Sequence, residues 1–344
     1  MASRPQSVKI GHIGTAYLHA LTDDFSIAQH TLKDVIDVNH GYSLDDAARG
    51  LIAAILFEEV ELAHKYVSFI RTCCMHKPEP FNFYDQHKKP VVKRSYSPDA
   101  LGETYWALSI AEDSNIEFKG LFEIKSHIAP FITKSHDLRP LAYGALTGDD
   151  YMVQRFEQEF EKAWKAHSTH WWPWPEHTLT YANAIIPLAA LIANKRDPRG
   201  WEMLKFLNST CSHNGIPCPI GNEGWFSHGE PKALYNQQPI DPAYLAIANA
   251  YAFSLKNDVR YKKEIERQMG WFWGWNTAGI PLIDTKKERV FDGIHADGLS
   301  ENAGSECIVC YLIAQKLYEE GIDSESASSI QLIFRPRTIP VSED

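Results

Sequence analysis

This chain of 344 residues has no long apolar run. No stretch reaches the roughly 18 consecutive apolar residues that a membrane-spanning helix needs, which assigns its richest apolar segments to the interior of a globular fold. A basic excess is missing too. Lys and Arg number 34 against 44 Asp and Glu, a net charge of −10. With no basic stripe to hold a phosphate backbone, nucleic acid is not an expected partner, and neither is a membrane. The first residues, Met-Ala-Ser-Arg-Pro-Gln-Ser-Val-Lys, lack the apolar stretch and small-residue cleavage site of an export signal. A cytoplasmic protein is therefore expected.

Cysteine is sparse. The six present are Cys73, Cys74, Cys211, Cys218, Cys307 and Cys310, and in a chain of this length they are expected as free thiols packed like small hydrophobes. Cys307 and Cys310 form a C-x-x-C inside the apolar run CIVCYLIA. No second pair stands nearby to complete a zinc site. The chain also has no HExxH and no acid spacing of a calcium loop, so neither a metal nor a cofactor is expected.

Period-2 alternation, sequence repeats and Gly/Ser linkers are scarce as well, and what fills the chain is helical pattern. Ala47 to Phe57, Ala184 to Ala193, Tyr244 to Phe253 and Cys307 to Ala314 are apolar nearly all round. Such helices are covered on every side. Leu101 to Ile110 and Leu138 to Leu146 are weaker candidates of the same kind. Between them lie segments charged on one face only: Glu58 to Cys73, Met152 to Trp164, Trp201 to Leu207 and Arg260 to Trp273. The six inner segments start near residues 45, 100, 138, 181, 242 and 303, each far enough from the next for a helix pair and a connection. Twelve helices in two layers follow. The expected fold is all-α: a closed ring of six helical hairpins, an (α/α)6 toroid, over residues 1–334 as one domain, with 335–344 trailing as a tail.

Each inner segment is preceded by a polar cluster. Asp45 and Asp46 open the first, with Arg49 one turn on; capping the helix needs only one carboxylate, so the second is expected to face a cavity. Ser97, Asp99 and Glu103 precede the second, in a pattern that helix capping can also explain. Trp172 and Trp174, broken by prolines, stand beside Glu176, His177 and Asn183, and are expected as an aromatic wall for the apolar face of a sugar. Trp225, Gln238 and Asp241 mark the next cluster and Trp273 the one after. The last runs from Asp292 through His295 and Asn302 to Glu306, directly before CIVCYLIA. A carboxylate at that place needs a partner or a raised pKa.

The stretches GYSLDDAARGLIAA, SPDALGETYWAL, WWPWPEHTLTYANAIIPLAALIA, NQQPID, WFWGWN with PLID, and the Asn302, Gly304, Glu306 pattern resemble a family of (α/α)6-toroid, glycosidase-like domains. These domains occur alone or fused behind GT-B glycosyltransferase domains in bacteria and archaea. The resemblance runs from about residue 20 to residue 316 with the motifs in order. Where the family pattern is Asn-Gln-Gly-Ala-Glu-Ser, this chain has Asn302-Ala303-Gly304-Ser305-Glu306-Cys307. It implies a carbohydrate-active fold, an oligosaccharide or glycoside substrate and a glycosyltransferase as a candidate partner.

The chemistry expected is glycoside hydrolysis by two carboxyl groups at the toroid mouth. The pair is expected to be one of Asp45 and Asp46 with Glu306, because the first and last inner helices become neighbours when the ring closes; Asp292 and Glu176 stand in reserve. Trp172, Trp174, Trp225 and Trp273 are expected to stack on sugar rings. Arg49, His177, Asn183, Gln238, Asp241 and Asn302 are expected to bind the substrate. A sugar epimerase or isomerase using His177, His228 or His295, a glycan phosphorylase, and a non-catalytic carbohydrate-binding partner of a glycosyltransferase are the alternatives.

Overall fold

The helices begin where side chains satisfy their free N–H groups. Ser43 accepts the Asp46 N–H at 3.3 Å and gives its own hydroxyl proton to the Asp46 carboxylate at 2.7 Å, a reciprocal cap that starts α2 (Leu44–Leu56). In the computed structural model, residues 8–33, 35–91, 96–322 and 328–334 are described. The expected tail at 335–344 and the N-terminal residues read for an export signal, up to Ser7, lie outside the described residues.

After the short α1 (Ala16–Leu21) come the pairs α2 with α3 (Val60–Cys74), α4 (Pro98–Asp113) with α5 (Leu121–Thr133), and α6 (Leu138–Ala145) with α7 (Asp150–His167). They are followed by α8 (Ile185–Ala193) with α9 (Pro198–Thr210), α10 (Ile240–Lys256) with α11 (Val259–Phe272), α12 (Ser305–Ile322), and α13 (Ser328–Ile333). The even-numbered helices form the inner ring. Every residue of α2 except Asp45 is buried, and so is every residue of α8, as expected of segments apolar all round. On the outer α7 only Met152, Val153, Phe156, Glu159 and Phe160 are buried, a single face. Each inner helix packs on the next, α2 on α4, α4 on α6, α6 on α8, α8 on α10 and α10 on α12, and α12 returns to α2. The ring closes as an (α/α)6 toroid.

Two expectations need correction. Thirteen helices are present among the described residues rather than twelve. The sequence pattern also passed over α5, where Pro130 and a short polar run interrupt the one-sided charge. The additional α13 is followed directly by Phe334, which stacks on Trp106 at 6.1 Å and meets Tyr251 edge-on at 5.2 Å, while the Trp106 indole donates to the Ile333 carbonyl at 3.0 Å. These contacts bridge α4 and α10 across the ring. All six cysteines are buried and unpaired. No described helix is long and apolar enough to cross a membrane.

Among the described residues, strand is confined to six two-stranded antiparallel ribbons and a few isolated bridges. One joins Tyr42–Ser43 to Phe83–Tyr84 and another joins Thr178–Leu179 to Phe226–Ser227. They tie the loops that enter the inner helices.

Gly102 sets the spacing between α4 and α6. A Cβ there would lie 2.6 Å from the Pro140 carbonyl oxygen and 3.0 Å from the Pro140 Cα, backbone atoms that cannot turn aside. Gly102→Ala is expected to destabilise the fold by about 1–3 kcal/mol, despite the better helix propensity of alanine. An unchanged urea midpoint would remove the close approach as the reason for glycine here.

Candidate active site

The inner helices all enter the ring from one end, and four of them carry an acid in their first turn: Asp45 and Asp46 on α2, Asp99 on α4, Asp241 on α10 and Glu306 on α12. Arg49, one turn further along α2 and buried, gathers Asp45, Asp46 and Glu306, together with Glu103 inside α4. Its Nε donates to Glu103 of α4 at 3.0 Å, Nη1 to Glu306 at 3.1 Å and to Asp46 at 3.3 Å, and Nη2 to Asp45 at 3.4 Å. The Tyr244 hydroxyl of α10 donates to the same Glu103 oxygen at 2.6 Å. Three neighbouring walls of the toroid thus share one guanidinium, and a fourth joins through Tyr244.

Four carboxylates around one cation cannot all stay ionised cheaply out of water. Burial, reinforced by Asp45, pushes Asp46 up to about 7. Burial also raises Glu306, with Asp45, Glu103 and Asp292 adding to the effect and Arg49 opposing it. Glu103 is raised by burial against the pull of Arg49. Asp46 and Glu103 are sealed inside, but the side chains of Asp45 and Glu306 remain 29% and 34% exposed. Those two are the acids open to a ligand. One oxygen of Asp45, Oδ1, is buried without a hydrogen-bond partner.

Asp241 lies alongside. Burial, with Glu306 adding to it, pushes its carboxyl up to about 8, and its Oδ2 is buried without a partner. Because the folded-state value lies above that of the unfolded chain, the stability it confers is whole below about pH 4 and is lost as pH rises through 8. Asp241→Asn is expected to flatten this decline by up to about 5 kcal/mol between pH 4 and pH 8.5. Urea midpoints at both pH values test this, and parallel curves for variant and parent would refute it.

A second cluster borders the first. Arg139 of α6 donates to Asp99 at 2.9 Å, to the Thr180 hydroxyl at 3.1 Å and to the Tyr181 carbonyl at 2.9 Å. The Tyr181 hydroxyl reaches Asp99 at 2.7 Å, and the Arg139 guanidinium lies 4.0 Å over the Tyr181 ring. Trp225, half-buried, tilts against Tyr181 at 6.2 Å and is held in the left-handed region at φ 59°. Glu176 is half-buried and raised by burial, within electrostatic reach of Arg139 and Asp99.

Other residues expected at the site are engaged elsewhere. Trp172 and Trp174 are buried in the core, not displayed as a wall; the Trp172 indole donates to the Glu176 carbonyl at 2.8 Å. Asn183 is buried and spends its amide closing its own turn with Thr180. Trp273 donates to the Tyr311 hydroxyl at 2.9 Å and packs where a Gly11 side chain would stand. Asn302 accepts from the Lys33 N–H at 3.0 Å. Asp292 accepts from the Gly304 N–H at 2.6 Å and the Cys307 thiol at 2.8 Å, anchoring the start of α12. His177 is exposed, as are His228 and His295, and Gln238 is half-buried. The aromatic wall failed as an expectation because a Trp-Pro-Trp-Pro run has no period to say which way its rings face.

The sequence reading made no commitment to Glu103, Asp99, Arg139, Tyr181 or Tyr244. Glu103 was legible in principle, as an acid inside a helix otherwise apolar. Asp99 stood in a polar cluster that helix capping also explains, and Arg139, Tyr181 and Tyr244 carry no sequence signal that separates them from surface or core residues.

Fold and site together define an (α/α)6 toroid with an acid-lined mouth built on a buried arginine. No protein-family model matches the sequence, and no curated protein matches it. Solved structures do. Cellobiose 2-epimerase from Bacillus thermoamylovorans B4167 is similar at 11% identity, covering 90% of this chain and 96% of that one, with a TM-score of 0.67. A D-mannose isomerase is similar at 10% identity, covering 86% and 92%, with a TM-score of 0.60. The cellulase Cel9M of C. cellulolyticum in complex with cellobiose is similar at 10% identity, covering 86% and 87%, with a TM-score of 0.54. At these identities the likeness establishes the fold.

Proposed function

We propose that the protein is a carbohydrate-active enzyme, and within that class a glycoside hydrolase. The observation that carries this reading is the pair of part-exposed carboxyl groups, Asp45 and Glu306, sharing one buried guanidinium. Bonds to one guanidinium hold the two carboxyl groups within reach of the two sides of a single glycosidic bond. Glu306, raised by burial, is the acid that protonates the leaving glycosidic oxygen; Asp45 activates water or attacks the anomeric carbon. Arg49 holds both in place and stabilises the charge that passes between them. Trp225 and Tyr181 are the rings set to face the sugar, and Asp241 and Arg139 border it. The similar structures, a cellobiose 2-epimerase, a D-mannose isomerase and a cellulase, are all enzymes named for sugars or glycans and support a carbohydrate substrate.

Two of those names also favour a second reading, a sugar epimerase or isomerase. Against it stands the chemistry of the mouth: carboxyl groups surround Arg49, whereas His177, His228 and His295 are exposed on the connecting segments outside the helices. The experiment is incubation with gluco-, manno- and galacto-oligosaccharides, with and without phosphate, followed by mass spectrometry and proton NMR of the anomeric signals. Shorter sugars formed without phosphate are the expected result. Unchanged mass with altered C2 signals would replace the hydrolase by the epimerase, and an absolute need for phosphate would replace it by a phosphorylase.

A further inference from the structure

The outer wall carries an aromatic surface that the mouth does not use. Trp171, at the end of the loop leaving α7, is 84% exposed, the most exposed large apolar side chain among the described residues. His170 meets it edge-to-face at 4.7 Å. It lines a groove of about 640 Å³ between α7 and α9 together with Trp164, Thr169, Glu202, Lys205 and Ser209. That volume falls within the range of about 300–1,000 Å³ that small-ligand sites occupy. Glu202, Lys205 and Ser209 stand three and four residues apart on α9, one stripe of that helix, and they also line the adjoining groove of about 560 Å³ between α9 and α11. An open indole face beside a row of carboxylate, ammonium and hydroxyl groups matches a pyranose, which is apolar across its C–H face and ringed by hydroxyls.

The groove is tied to the mouth by the chain itself. Trp171 stands five positions before Glu176, which lies within electrostatic reach of Arg139 and Asp99, and the Trp172 indole bond to the Glu176 carbonyl holds that segment in shape. Five residues span at most about 18 Å. The groove therefore lies within a few sugar units of Glu176, at the border of the mouth.

We propose that the Trp171 groove is an accessory subsite that binds the distal sugars of an oligosaccharide whose other end lies at the mouth. This rests on the reading of the protein as carbohydrate-active. The test uses β-1,4-linked hexasaccharides of glucose, mannose and galactose, titrated calorimetrically into the full-length Glu306→Gln protein with and without Trp171→Ala. The tryptophan is solvent-facing, so the second substitution leaves the core intact. The expected result is at least tenfold weaker hexasaccharide binding, recovered in large part by Trp171→Phe, and a hexasaccharide-to-disaccharide ratio of KM raised by a similar factor on the active background. Equal affinity with and without Trp171 would overturn the subsite, as would no binding of any hexasaccharide. Should the parent protein hydrolyse no glycan while Trp171→Ala still costs tenfold in binding, the subsite stands and the hydrolase reading falls. Hydrolysis together with unchanged Trp171→Ala binding gives the reverse.

Discussion

Glu306→Gln is expected to lower turnover of the glycoside by about 10²–10⁴-fold while leaving substrate affinity within a few-fold of the parent. The amide has nearly the shape of the acid and can still meet the Arg49 Nη1, 3.1 Å from Glu306 Oε2, through its oxygen, but it has no proton to give the leaving oxygen. Loss of turnover through binding alone would show in KM, and loss through chemistry shows in kcat. Asp45→Asn is expected to act in the same direction, since the two groups work on opposite sides of one bond. Steady-state kinetics on the best substrate of the panel decide the matter. A Glu306→Gln enzyme with parental kcat would take this residue out of the reaction.

Arg49→Met is expected to destabilise the fold by about 3–5 kcal/mol, the cost of leaving buried charges without their counter-ion. The methionine fills much of the space, so the effect is electrostatic rather than a cavity. Its pH dependence follows from the same reasoning. Without the guanidinium, Asp46, Glu103 and Glu306, already raised in the native protein, rise further above their unfolded values. The stability they confer in the protonated form is then lost over a wider span as pH increases. The variant is therefore expected to lie closest to the parent near pH 5 and furthest from it near pH 8. Urea titrations across that range test both size and sign. A deficit that is constant with pH would mean that packing, not charge, is what Arg49 supplies.

Helices covered on all sides and helices covered on one side differ in composition at every turn, and that difference made the two layers of the toroid readable before any coordinates. The inner segments read near 45, 100, 138, 181, 242 and 303 begin at 44, 98, 138, 185, 240 and 305. Where the periodic signal broke, the reading broke with it. Pro130 breaks the sequence pattern inside the continuous α5, and α1 and α13 have six residues each, too few to show a face. The acids at the helix starts were readable for a related reason: an Asp or Glu heading an apolar segment must find a partner or a proton, whatever surrounds it.

By itself, then, the sequence determined that this chain is all helical, that its helices alternate inner and outer, and that acids stand at the inner N-termini. Only the tertiary structure decided which acids meet. Arg49 touches Glu103, 54 residues away, and Glu306, 257 residues away, and ring closure alone brings those three together. The same holds for the tryptophans. Trp172 and Trp174 went into the core while their neighbour Trp171 stayed in water, because a loop has no period and its side chains take the direction that the packed helices beneath them leave open.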